Sequence, residues 1–282
     1  MNNMGDPRSI GVFDSGVGGL SILRAIRQLL PKEPTIYLGD QGHVPYGSRP
    51  PEEIRGFSYG ITRFLLDLNA KIIVVACNTA SAVALHYLRK SFPSVPFVGM
   101  EPAVKPAAET THTGIVGVLA TPATFQGELY ASVVERFAEN VILLQNTCPG
   151  LVQQIERGEI ESPQTRQILE TALHPMINQG ADTIVLGCTH YPFVIPIIQE
   201  IVGPDVRVID PSPSVARQVA RILDSHGMQM NEARSHTPVA YTSGKINDFK
   251  ALLSGLFEKE ITVIKVIWKQ DNLLIKSYDE PG

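Results

Sequence analysis

Two segments, one in each half of the chain, share a pattern that restricts how the chain can fold. Ile72-Ile73-Val74-Val75-Ala76-Cys77-Asn78-Thr79 and Thr183-Ile184-Val185-Leu186-Gly187-Cys188-Thr189-His190 are each a short apolar run ending in cysteine, with threonine close behind. A second pair echoes in the same way, since Gly11-Val12-Phe13-Asp14-Ser15 resembles Gly117-Val118-Leu119-Ala120-Thr121. Short runs rich in Ile and Val suit strands buried on both faces of a parallel sheet. A duplicated α/β unit would bring one thiol from each half to a shared cleft.

At 282 residues the chain exceeds the usual size of one core, so two domains are expected. Strands are predicted at Ile10–Phe13, Thr35–Leu38, Ile72–Ala76, Phe97–Gly99, Ile115–Leu119, Val141–Leu144, Thr183–Leu186 and Val206–Ile209. Helical patterns lie between them at Leu20–Leu30, Pro51–Leu68, Ala80–Lys90, Gln126–Phe137, Ser162–Gln179 and Ser214–Ser225. Ser162-Pro163 reads as an N-cap and first helical turn. This alternation predicts an α/β class with right-handed crossovers. Gly99-Met100-Glu101-Pro102 marks the seam, giving a first domain of 1–99 plus 208–282 and a second of 100–207. Tyr241–Gly244 and Ile261–Ile267 read as extra elements of the first domain, and the tail after Ile267 as peripheral.

The bulk numbers exclude several classes of protein. A net charge of −4 with no Lys/Arg run argues against a nucleic-acid surface. The apolar stretch from Ile72 to Leu88 is interrupted by Asn78, Thr79, Ser81 and His86, so no membrane span is expected. The polar start lacks a signal region. Three widely spaced cysteines fit reduced thiols in a cytoplasm better than a disulfide framework.

Ligands of open α/β sheets bind at the carboxyl ends of strands, where Asp14, Cys77, Thr121 and Cys188 all fall. A thiol ahead of a helix N-terminus is favoured as thiolate by the dipole. A lone cysteine after a strand is more often an inert core residue. Two at equivalent points of a repeat point the other way, and Cys148, without a twin, reads as structural. Two facing acid/base groups are what inversion at a carbon centre requires. Asp14 opens Asp14-Ser15-Gly16-Val17-Gly18-Gly19, which is neither a phosphate loop nor a dinucleotide fingerprint. Its backbone N–H groups can hold a carboxylate, or Asp14 can simply cap the next helix. His190 is either a solvated loop residue or a group tuning a proton-transfer site at Cys188. One Cys-x-His pair falls short of a zinc ligand set, so no metal is expected. A Cys77–Cys188 redox pair would need the sulfurs within bonding range. The Tyr46 segment, His43-Val44-Pro45-Tyr46-Gly47-Ser48, is open to reading as a binding loop or an ordinary turn.

Together these residues resemble the glutamate racemase family. The matching elements are Val12–Leu20, Pro45-Tyr46-Gly47, Ala76-Cys77-Asn78-Thr79-Ala80, Glu101-Pro102 and Gly187-Cys188-Thr189-His190-Tyr191-Pro192, in order between Ile10 and Pro213. The resemblance implies two pseudo-symmetric α/β domains, each a mainly parallel sheet flanked by helices, with the substrate in the interdomain cleft. It implies no cofactor, and it implies Cys77 and Cys188 as the paired acid/base residues assisted by Asp14 and His190. Substrate contacts would come from Asp14, Ser15, Tyr46, Gly47, Asn78, Thr79, Thr189 and His190, with Asp40 and Glu156 as supporting carboxylates. Leu119-Ala120-Thr121-Pro122-Ala123-Thr124 departs from the family's Gly-Thr-x pattern. Thr121 and Thr124 remain as carboxylate donors, but Pro122 removes a backbone N–H. Arg49 and Lys105 are the cations nearest the motifs. The small-molecule partner implied is glutamate, with D-glutamate supplied to peptidoglycan in the cytoplasm, and a homodimer is left open. An aspartate racemase of the same superfamily and a non-catalytic amino-acid-binding regulator are the alternatives.

Overall fold

In a computed structural model the chain forms two sheets. The structure describes residues 5–232, 238–254, 257 and 261–275. The strands are β1 Ser9–Asp14, β2 Thr35–Gly39, β3 Ala70–Val75, β4 Phe97–Val98, β5 Ile115–Ala120, β6 Ile142–Asn146, β7 Thr183–Gly187, β8 Arg207–Ile209, β9 Val239–Thr242, β10 Thr262–Lys269 and β11 Asn272–Ile275. The first sheet runs β11-β10-β9-β2-β1-β3-β4 and the second β6-β5-β7-β8. The order β2-β1-β3-β4 in one sheet is therefore matched by β6-β5-β7-β8 in the other, and every pairing within both sets is parallel. In each set the chain reverses its winding beside the first strand, so a crevice opens at the carboxyl ends of β1 and β3, and of β5 and β7.

The central strands β1, β3, β5 and β7 are largely apolar because both their faces are covered. Ile10, Val12, Ile72 and Val74 face a cluster with Leu20, Leu23 and Ile26 of helix Leu20–Leu29 and Val219 and Leu223 of helix Ser212–Ser225. Their neighbours Phe13, Ile73 and Val75 point the other way, against Ile61 and Leu65 of helix Pro51–Asp67 and Leu88 of helix Asn78–Ser91. In the second sheet Val116, Val118 and Val185 meet Tyr130 and Val133, while Leu119, Ile184 and Leu186 meet Leu169, Leu173 and Met176. Period-two alternation of this kind is what a strand imposes. The cluster under β1 continues without a break to Leu119 and Leu186 of the second sheet, so the two sheets share apolar packing.

Several predicted elements are seen with altered bounds. Ser162 caps helix Pro163–Asn178 by accepting the Thr165 N–H at 3.1 Å. The helix expected at Gln126–Phe137 starts at Glu128, because Gly127 ahead of it is extended, and a separate short helix, Pro122–Phe125, precedes it. β8 crosses the second expected seam at residue 207. As far as Ile275 the tail after Ile267 is not peripheral: β10 runs on to Lys269 and pairs antiparallel with β11, with Leu273 buried; the rest of that tail lies outside the described residues.

One buried ion pair fastens the amino-terminal edge of the first sheet. Lys71 Nζ lies 2.6 Å from Glu33 Oε2, with side-chain exposures of 0% and 3%. Lys71 also donates to the carbonyls of Asp6 and Met228, and Glu33 Oε1 accepts the Met230 N–H. Removing one partner strands the other charge in the interior. Lys71→Met should therefore destabilise the chain by about 3–5 kcal/mol in chemical denaturation, while adding Glu33→Leu should recover part of that loss.

Candidate active site

Adjacent strand ends set the chemistry side by side. The Ala76 N–H donates to the Phe13 carbonyl at 2.7 Å, which brings Asp14 and Cys77 to neighbouring positions. The register Ala120↔Gly187 does the same for Thr121 and Cys188. The two crevices face one narrow cleft. Ser15, Tyr46, Gly47, Cys77, Asn78 and Thr79 line it from the first sheet; Thr121, Val152, Cys188, Thr189 and His190 line it from the second. Its free volume is about 20 Å³, room for roughly one water. Asp14, Asp40, Thr124 and Glu156 do not line the cleft but lie behind residues that do.

The two thiols differ in their surroundings. Cys77 is the N-cap of the 14-residue helix Asn78–Ser91; its Sγ accepts the Ala80 N–H at 3.4 Å and lies 3.8 Å from Ser15 Oγ. Burial pushes the Cys77 thiol far above its ordinary pKa, the Asp14 charge adds to this, and the Ala80 N–H offsets only part. Cys188 has no helix directly behind it. A 3-10 turn, Tyr191–Val194, precedes helix Ile195–Val202. The dipole expected for both cysteines is thus available to Cys77 alone, and Cys188 instead has His190 Nδ1 at 3.8 Å. Cys148 is buried in the core with a left-handed φ of 43°.

His190 is not a solvated loop residue. It is 2% exposed, and its Nε2 lies 2.6 Å from Glu156 Oε1. Burial alone would lower its pKa, but contact with Cys188 and Glu156 and the Asp14 charge outweigh it, leaving the imidazole well above 6.5. Glu156 is opposed by burial and held below its ordinary value by His190, Gln41 and the Val17 N–H. Asp14 is fully buried. Its Oδ2 accepts the N–H groups of Gly16 and Gly19 at 3.1 and 3.0 Å, and its Oδ1 the Thr189 hydroxyl at 3.3 Å. It therefore organises the loop ahead of helix Leu20–Leu29 and touches the opposite sheet as well. Burial raises its pKa, with Glu156 adding, against the pull of His190 and the two glycine N–H groups.

The glycines of this loop are needed for close approach. A Cβ at Gly16 would sit 1.9 Å from Glu156 Oε1, and one at Gly18 would sit 2.5 Å from His190 Nδ1. Across the cleft, Thr79 Oγ1 and Thr121 Oγ1 are 2.9 Å apart. Thr121 caps the short helix that begins at Pro122, and Thr124 bonds to Thr121 from behind at 3.0 Å. Asn78 is buried at the cleft wall, and neither its amide nitrogen nor its amide oxygen has a partner among the described residues. Buried amides are normally paired, so this one is free for a ligand.

Arg49 is tied to Glu53 and the His43 carbonyl, and Lys105 lines a different cavity. Apart from the His190 imidazole, the cleft therefore offers neutral donors to an anion. Among the described residues no group of three or more His, Cys, Asp or Glu side chains could hold a metal ion, and no helix is long and apolar enough to cross a membrane. Sequence reasoning missed Val152 in the wall and the groups behind it: Gln41 on Glu156, and His43, Ser243 and Trp268 on Asp40.

Two matched parallel sheets thus each set one thiol in a single cleft. A family profile described as Asp/Glu/hydantoin racemase matches residues 10–219, and the chain belongs to that family. A glutamate racemase from Pseudomonas aeruginosa (strain PAO1) is 46% identical over 259 residues, covering 92% of this chain and 97% of that one. The structure is similar to glutamate racemase from Escherichia coli in complex with L-glutamate and the activator UDP-MurNAc-Ala, with TM-score 0.81, 29% identity and coverage of 96% and 100%. It is also similar to glutamate racemase from Francisella tularensis in complex with D-glutamate, with TM-score 0.80, 30% identity and coverage of 94% and 98%.

Because the folded His190 binds its proton more tightly than a free imidazole, the network adds stability that is complete below about pH 6.5 and is lost as pH rises through the higher folded value. Glu156→Gln should lower the His190 pKa, read from imidazole chemical shifts against pH. Gly16→Ala, by displacing the same carboxylate, should move it in the same direction.

Proposed function

We propose that this chain interconverts L- and D-glutamate by proton transfer between two thiols, without a cofactor. The observation that carries this reading is that Cys77 and Cys188 follow equivalent strands of two matched sheets and line one cleft. Relatives at 45–51% identity bear the name glutamate racemase, which favours glutamate over aspartate as substrate.

One cysteine removes the α-proton as thiolate and the other returns a proton from the opposite face. The surroundings suggest a resting arrangement. His190, held protonated by Glu156, stands with its Nδ1 3.8 Å from Cys188 Sγ, while burial and the Asp14 charge favour thiol at Cys77. Cys188 then acts first as base and Cys77 as acid, and after transfer the roles are exchanged for the reverse reaction. Asp14 and His190 reset the two protonation states. Charge developing at the α-carbon and its carboxylate is met by oriented donors in a water-poor cleft. The hydroxyls of Ser15, Thr79, Thr121 and Thr189 and the unpaired Asn78 amide suit the two substrate carboxylates. Among the described residues no lysine lines the cleft to hold pyridoxal phosphate.

With 20 Å³ between its walls, the cleft must widen to admit an amino acid. In this reading the bodies that part are residues 1–99 with the chain after β8 on one side and 100–209 on the other, the second seam of 207/208 moved past β8. D-glutamate would serve peptidoglycan precursor synthesis in the cytoplasm.

Cys77→Ala and Cys188→Ala should each lower racemisation by about 10²–10⁴-fold, yet retain one-sided elimination on a substrate with a good leaving group. A single variant that racemises at the wild-type rate sinks the two-thiol assignment. In deuterated water the product should carry deuterium at the α-carbon, and its absence would exclude proton abstraction. Turnover of L-glutamate against L-aspartate, with no pyridoxal phosphate or metal added, separates this reading from an aspartate racemase, and no turnover of either would point to a binding protein.

A further inference from the structure

Asp40 directly follows β2, and its carboxylate is wholly buried. It accepts from four side chains. Oδ1 takes the Ser243 hydroxyl at 2.5 Å and the Trp268 indole N–H at 2.8 Å. Oδ2 takes the Tyr46 hydroxyl at 2.7 Å and contacts His43 Nδ1 at 2.9 Å. The first pair comes from the far side of the sheet. Ser243 follows β9, whose Thr242 is in register with Gly39 at the end of β2, and Trp268 lies on β10, the next strand out. Both lie beyond residue 219, where the family match ends. Lys265, also on β10, holds the Ser243 and Gly244 carbonyls.

The second pair leads to the cleft. Tyr46 and Gly47 form part of its wall, and a Cβ on Gly47 would lie 3.0 Å from Thr121 Cβ on the opposite sheet. The Tyr46 phenol is kept protonated by burial and by the Asp40 charge, so it is always the donor in this bond. A carboxylate whose Oδ1 is held by two donors cannot turn its plane, and Oδ2 is thereby fixed on Tyr46. We propose that Trp268 and Ser243 are positioning residues for the cleft, acting through Asp40 to hold Tyr46 and the Gly47 backbone where a substrate meets them. The outer hairpin β10–β11 is in that sense part of the site. Trp268 also packs its ring on His43 and Phe57, with centroids 5.5 and 5.6 Å away, so Trp268→Phe keeps a smaller apolar ring there while removing the N–H.

The proposal takes its assay from the racemase reading, and the full-length wild-type chain is therefore measured first. Trp268→Phe and Ser243→Ala should each raise the KM for L-glutamate about tenfold, as loss of a hydrogen bond to a charged group implies. kcat should stay within about twofold, the pattern of lost uniform binding. Tyr46→Phe should raise KM too, and Trp268→Phe added to it should change little more, because both act through one carboxylate. Hydrogen exchange across residues 43–49 should quicken in Trp268→Phe while that across 78–91 is unchanged. An unchanged KM with only a lower denaturation midpoint, or effects of Trp268→Phe and Tyr46→Phe that multiply, would overturn the proposal. A wild-type chain that turns over no glutamate sinks the racemase reading instead, and the exchange of residues 43–49 then decides the positioning role by itself: unchanged exchange overturns it, and faster exchange supports it.

Discussion

The Glu156 carboxylate is the contact on which the geometry of the cleft depends. It stands at the end of helix Leu151–Glu156 on the side of the second sheet, yet two of its partners belong to the first: the Val17 N–H at 2.8 Å and the Gln41 amide at 2.9 Å. Its third partner, His190, is a wall of the cleft. A carboxylate this buried is tolerable only when its oxygens are fully engaged, so both sheets must stay in place for it to remain charged. The same requirement explains Gly16, where a side chain would occupy the space of the Glu156 oxygens. One ionised group thus joins the two halves and sets the protonation of the residue beside Cys188.

The repeat is therefore close in backbone and unequal in chemistry. Strand order and register match between the halves, and the cysteines stand at equivalent ends. Their neighbours do not match. Cys77 has a long helix behind it and the buried Asp14 charge beside it, whereas Cys188 has a 3-10 turn and a histidine backed by a carboxylate. A helix N-terminus favours thiolate, but burial and Asp14 prevail at Cys77, as the upward shift of its thiol records. The repeat thus supplies two thiols in matching places with different charged groups beside them.

How much of this was legible in the chain depended on whether the signal was local. Val74-Val75-Ala76-Cys77 and Val185-Leu186-Gly187-Cys188 carry their strand and their thiol within a few residues, so period and position sufficed. Asp14 was legible as a strand-end carboxylate, though its bond to Thr189 was not, since that bond spans 175 positions. Asp40 and Glu156 have no local pattern and entered only through the family resemblance. Trp268 had neither aid. It sits in a strand whose burial is mostly partial, so hydrophobic periodicity there is weak. Its partner is 228 positions away, on a strand reached only after β9 inserts between β2 and β10. Lys105 illustrates the converse: it is close in sequence to Glu101-Pro102 but turned to another cavity.

The bonds that span the cleft are not equally costly to part. Thr79 and Thr121 meet through two neutral hydroxyls, each of which water can replace, so separating them costs on the order of 1 kcal/mol. The Thr189–Asp14 contact, at 3.3 Å, is long for a bond to a carboxylate. Glu156 is different, because parting it from Val17 and Gln41 would expose or strand a charge that also holds His190. An opening that begins between Thr79 and Thr121 therefore meets less resistance than one that begins at Glu156. That side also carries the unpaired Asn78 amide, next in sequence to Thr79, with Cys77 just before it. Entry from there would present an amino acid to neutral donors and to the Cys77 thiol, while the Glu156–His190 pair beyond kept Cys188 in its charged setting.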